Sequence, residues 1–226
     1  MSKKQIFFLL SVLLLFAGCK SLPYSELQED FQNPNLLSRM DMWVDMPGIE
    51  QAFGAASWSA DGTVKPDSPY GKGVIVVTPS SRVYTAEPRV QDMVTVFTND
   101  VTNNIMDVAK PRRGNIVLRL TEPAVKNNYR WSWLSGATLG IPNALGMPMC
   151  SHRVTLNVQV EIYDGRHNLV AKYNEWGTDK EYMAAYWGYN FKDFRRRAAV
   201  RALQNGLGKI KENIVRDYGM IEAKLK

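Results

Sequence analysis

Residues 152–163 read HRVTLNVQVEIY. Val154, Leu156, Val158, Val160 and Ile162 alternate with Arg153, Thr155, Asn157, Gln159 and Glu161, the period of two that sends successive side chains to opposite faces of a strand. The apolar face must meet a core and the polar face must meet water or a polar partner, as in a sheet covered on one side. Asp164 and Gly165 open a turn, and Leu169, Ala171 and Tyr173 begin a return strand, so the segment is expected as a β-hairpin.

Upstream, Ile116, Leu118 and Leu120 alternate with Val117, Arg119 and Thr121 and predict another strand. Val74–Val77 is an unbroken β-branched run after Gly71 and Gly73, closed by Pro79; such a run suits a central strand buried on both faces. Between these strands, residues 89–109 read as a helix. Val90, Val94, Phe97, Val101, Ile105 and Val108 recur at steps of three and four, with Pro88 before and Pro111 after. Residues 191–218 read as a long C-terminal helix with an apolar stripe running from Phe191 through Ala198, Leu203 and Ile210 to Tyr218. Gly206 and Gly208 in its interior each cost roughly 1 kcal/mol against alanine; a bend or a close contact there is the expected reason. The order strand, helix, strand, long loop, hairpin, helix predicts an α+β fold. It is expected as a two-layer sandwich with a mixed β-sheet of about four strands packed on two helices.

The chain has 226 residues, 45% of them hydrophobic and 22% charged, the composition of a globular protein. Lys and Arg number 28 against 22 Asp and Glu, a formal charge of +6. An excess this small does not point to nucleic acid. The two cysteines, Cys19 and Cys150, cannot both be spare if Cys19 is modified, in which case Cys150 has no partner within the chain.

At the start, Lys3 and Lys4 precede an apolar run from Ile6 to Phe16, followed by Ala17, Gly18 and Cys19. A basic stretch, an apolar stretch and small residues form a secretory signal, with an apolar run too short for a bilayer span. Leu15-Phe16-Ala17-Gly18-Cys19 resembles the lipobox of bacterial lipoproteins. The resemblance implies cleavage before Cys19, lipidation of its sulfur and an acylated new amino terminus. It implies a membrane partner reached through these acyl chains and removal of two lysines from the charge balance. Lys20 departs from the aspartate that favours inner-membrane retention, which points to the outer membrane, with the inner membrane as the alternative. Residues 1–18 are thus expected as signal peptide and 19–45 as a lipidated, solvated tether. Residues 46–226 are expected as a single α+β domain, irregular from 48 to 73 apart from a short strand near 56–59.

Residues 131–151, WSWLSGATLGIPNALGMPMCS, contain no charge. Gly136, Gly140, Pro142, Gly146 and Pro148 break the run too often for a membrane-spanning helix. Three readings stand: a cover over the core, an apolar loop meeting lipid, or a docking surface, for which Trp131, Trp133 and Leu134 are the candidate contacts. The segment loosely resembles a Thr-Leu-Gly-x-Pro stretch of uncharacterised envelope lipoproteins. The element order is also similar to two-layer lipoproteins that assist outer-membrane assembly machines. Both imply an accessory role with a protein partner in the envelope, and neither supplies catalytic residues.

Arg195, Arg196, Arg197 and Arg201 form the main basic cluster, and Arg197 and Arg201 share a helix face. They read either as a solvated face or, with Lys209 and Lys211, as a contact for anionic headgroups. For catalysis only Cys150 and His152, on one strand parity, are suggestive, and no third group orients them. His167 falls in the hairpin turn and is expected exposed, without a role. No cofactor or metal motif is present. The expectation is a non-catalytic, lipid-anchored envelope protein that binds a partner. The alternatives are an amphiphile carrier or, last, an enzyme centred on Cys150 and His152.

Overall fold

The computed structural model describes residues 33, 35–53, 58–60, 68–85, 87–144, 147–183 and 193–225. In chain order they form β1 (Arg39–Asp45), α1 (Met46–Phe53), β2 (Trp58–Ala60), β3 (Val74–Val77), β4 (Val83–Thr85) and α2 (Pro88–Asp100), which runs into a π-helical turn at Val101–Ile105. There follow β5 (Arg112–Asn128), α3 (Arg130–Ala137), α4 (Ile141–Ala144), β6 (Cys150–Asp164), β7 (Leu169–Met183), α5 (Phe194–Arg216) and α6 (Tyr218–Lys224). The fold is α+β with a mixed sheet of order β3-β1-β5-β6-β7; β2 and β4 make a separate ribbon. β1 runs parallel to β5 and antiparallel to β3, and the remaining pairs are antiparallel.

The sheet has five strands where the sequence reading expects about four, because Arg39–Asp45, read as the end of the tether, lies inside it. Met40, Met42 and Val44 are buried on the core face, while Trp43 is buried on the opposite one and hides the alternation. β3 lies at an edge and not at the centre. It still has two-sided burial, since Val74 packs under Tyr70 in a small cluster on the outer face. The β-branched run therefore reports burial, not position.

α1, α2 and α5 together form the layer on the core face, where the sequence reading expects two helices. Met46, Ile49, Met93, Phe97, Leu203 and Leu207 from these helices share one core with Ile116, Leu118, Leu156, Val158 and Val160 of the sheet. α2 starts on Pro88, with the Glu87 side chain accepting from the Arg89 amide (3.2 Å). The helix ends at Asp100, short of residue 109. The π turn closes with Met106 N–H on the Val101 carbonyl, and Met106 then goes extended. Two ion pairs tie α2 to α5. Arg196 grips Asp92 with two bonds of 2.7 Å, the two-pronged geometry that makes arginine–carboxylate pairs strong. Lys211, 1% exposed, reaches Asp100 at 2.8 Å, and Asp100 also accepts from Asn104 in the π turn (2.6 Å). Lys211 is therefore a core residue and not part of a surface contact.

α5 lies on β6 and β7 at backbone contact. A Cβ on Gly177 of β7 would sit 1.8 Å from the Ala202 carbonyl oxygen and 2.8 Å from the Gly206 nitrogen. A Cβ on Gly206 would sit 2.6 Å from Val158 Cγ2. Gly206 is thus explained by a close approach to the sheet, whereas a Cβ on Gly208 would meet nothing within 4 Å and no close contact accounts for that glycine. At the edge of the sheet, Asn205 donates to the Thr178 carbonyl (2.9 Å) and Lys209 to the Trp176 carbonyl (2.7 Å).

Gly177→Ala is expected to cost about 3 kcal/mol, the upper range for overpacking, because its obstacle is backbone. Gly206→Ala should cost about 1 kcal/mol or less, since Val158 can turn aside and alanine regains helix propensity. Urea unfolding of the two variants checks the ranking, and an equal cost would show that the contact is not tight.

Candidate functional site

The Cys150–His152 pair is not armed. His152 Nδ1 lies 2.6 Å from Asn127 Oδ1, and the ring stands edge-on to Phe194 with centroids 5.6 Å apart. Burial, then the nearby Arg195 and Arg89 charges, lowers its pKa from 6.5 to about 4. The ring is neutral at neutral pH, and its other nitrogen has no hydrogen-bond partner among the described residues. Burial also raises the Cys150 thiol, against a smaller pull from Arg195, which lowers its thiolate fraction.

The sheet face opposite the helices carries two distinct regions. Over β1 and β5, Trp43, Tyr70, Val74 and Val117 form a buried cluster. The Tyr70 ring is edge-on to Trp43 at 5.2 Å and tilted on Tyr163 at 4.6 Å. His167, expected without a role, closes it with Nδ1 2.7 Å from the Tyr70 hydroxyl. Beside it, Arg119 donates to Asp45 and to Glu161, each at 3.0 Å, and to the Tyr70 carbonyl. Burial opposes ionisation of Glu161, but bonds from Arg119 and Tyr163 prevail and hold its carboxyl below the usual range. Burial, reinforced by Tyr163, pushes the Tyr70 hydroxyl well up. Every arm of Arg119 is used, so this network fastens the segment at Tyr70 to the sheet.

The second region is the far end of β5, β6 and β7. These strands run 17, 15 and 15 residues. The uncharged segment, expected as a long loop, begins as α3. Ser132 fixes that helix by donating to the Met149 carbonyl (3.0 Å). Asn143 holds the following turn by donating to the Met147 carbonyl (3.0 Å) and by its bond with Ser135. Trp131, Trp133, Leu134 and Asn128 line an open groove of about 470 Å³. Trp131 is 44% and Trp133 69% exposed, so these three predicted contact residues lie together at one end of the sheet.

Arg197 and Arg201 lie on a different element. Both belong to α5, and Arg201 pairs with Glu181 of β7 at 2.8 Å. Cys19 and the segment expected as a signal peptide lie outside the described residues. Among the described residues no group of three or more His, Cys, Asp or Glu side chains could hold a metal, and no helix is long and apolar enough to cross a membrane. The chain matches no protein-family model, no curated protein and no solved structure.

Sequence reading misses two features here. The Tyr70–His167 contact joins residues 97 positions apart, with no local signal. A cationic row, Lys126, Arg153 and Lys180, appears only once the strand register is known.

Because the folded pKa of His152 lies below its ordinary value, the unfolded chain binds the extra proton. The stability from the neutral ring is complete above pH 6.5 and falls as pH drops toward 4. Urea midpoints measured across that window should fall in the native protein and fall less in His152→Gln. Equal slopes would show that His152 titrates normally. Cys150 should stay unlabelled by a thiol probe in the native state and react on unfolding; fast native labelling would reopen the nucleophile reading.

Proposed function

We propose that this protein is a non-catalytic, lipid-anchored envelope protein that serves as an accessory subunit and binds a protein partner through the open half of its sheet. The observation that carries the reading is Trp176. It is 46% exposed on the sheet face opposite α1, α2 and α5, amid Asn174, Thr178 and Gln159. Beside it, its cross-strand partner Asn157 is buried with an oxygen that accepts no hydrogen bond among the described residues. Large aromatics on a polar, uncovered face are the usual anchors of an interface. The lipobox-like start supports the anchor, placed at the outer membrane, since two or more acyl chains hold a protein to a bilayer firmly. The state of His152 and Cys150 supports a role without catalysis.

A second reading, an amphiphile carrier, is favoured by the groove at Trp131, Trp133 and Leu134. The full-length protein, crosslinked briefly in its own envelope and captured in mild detergent, distinguishes the two by mass spectrometry. A stoichiometric protein partner that Trp176→Glu releases supports the accessory role. A co-purifying lipid with no such partner supports the carrier.

A further inference from the structure

We propose that the α3 end of the sheet docks on an anionic bilayer surface, through Trp131, Trp133 and Leu139 at the headgroup boundary and Lys126, Arg153 and Lys180 at the level of the phosphates. This surface is separate from the one at Trp176, which lies four residues, about 13 Å, further along β7.

The register carries the argument. Lys126 pairs with Arg153, and Arg153 with Lys180, so three cations stand side by side across adjacent strands. Like charges directly opposite one another destabilise a sheet. None of the three forms an ion pair among the described residues, and Lys180 turns to Tyr182 instead, 2.9 Å from its hydroxyl and 4.5 Å over its ring. The next rows on this face are Asn128, Ser151 and Tyr182 on one side and Ala124, Thr155 and Thr178 on the other. Neither contains an acid. An external anion is the missing complement.

The spacing says which anion. The row lies two to three residues back from the strand ends, about 7–10 Å at the strand rise. Beyond those ends come α3 and the turn into α4, where the tryptophans and Leu139 project. Leu139 is 91% exposed, with φ 51°, and is followed by Gly140 at φ 78°; a bulky residue in the left-handed region is uncommon. Groups that bind a membrane surface sink about 5–10 Å into the boundary between headgroups and chains, and tryptophan favours that layer. A tip seated at this depth sets the cationic row among the phosphates. Asn128 belongs to both parts, lining the groove and standing two residues from Lys126 on the same face.

The test uses the full-length protein in vesicles of phosphatidylcholine with brominated acyl chains, with and without phosphatidylglycerol. Tryptophan quenching is expected to rise with phosphatidylglycerol, and Trp131→Phe with Trp133→Phe should remove most of the rise. Lys126→Glu, Arg153→Glu and Lys180→Glu together should abolish the dependence on phosphatidylglycerol. Hydrogen exchange at residues 129–141 should slow in the anionic vesicles only. Equal quenching in both vesicles overturns the proposal, as does a rise that survives loss of both tryptophans or protection that needs added envelope proteins. If a variant fails to fold, the wild-type comparison between vesicles decides alone. A chain that leaves zwitterionic vesicles altogether counts against the acyl anchor, and the phosphatidylglycerol dependence still reads out the tip.

Discussion

Backbone contact between Gly177 of β7 and residues 202–206 of α5 sets the depth at which the long helix lies on the sheet. At that depth Ala202 and Gly206 meet the strands directly, and Ala198 and Ala199 are buried beside them. The ion pairs to α2 depend on the same depth, because Arg196 meets Asp92 near one end of α5 and Lys211 meets Asp100 about four turns on. Burying a lysine is costly unless its partner is fixed. Here the partner is fixed by Asn104 in the π turn, so the irregular end of α2 serves the packing of α5. A helix-weakening glycine in α5 is offset by contacts that only its absence of a side chain permits.

The parts of the fold legible in sequence are those whose signal is local. The alternation of residues 152–163 names both faces of β6 without knowledge of its neighbours. The stripe of α5 and the proline punctuation of α2 are equally self-contained. β1 was obscured by Trp43, whose burial depends on a second cluster formed by Tyr70, far along the chain. The end of α2 was obscured because a stripe continuing at Val101 and Ile105 is satisfied by a π turn as well as by an α-helix. Lys211 reads as a surface cation until Asp100 is placed opposite it.

The candidate surfaces divide in the same way. Trp131, Trp133 and Leu134 stand out because a stretch without charge is visible in one dimension. Lys126, Arg153 and Lys180 are separated by long stretches of chain, and only pairing brings them level. The outer face thus holds two electrostatic regimes. Around Arg119 each charge is answered by the fold, as Glu161 and Asp45 show. Toward α3 the charges of Lys126, Arg153 and Lys180 have no ion-pair partner among the described residues.

β7 ends the sheet among the described residues with a 15-residue strand. A strand of that length offers its neighbours a template for pairing. Asn205 and Lys209 occupy the Thr178 and Trp176 carbonyls in its middle, so an incoming strand would have to displace two donors held on a rigid helix. The helix that builds the core thereby also guards this edge of the sheet against pairing with another strand.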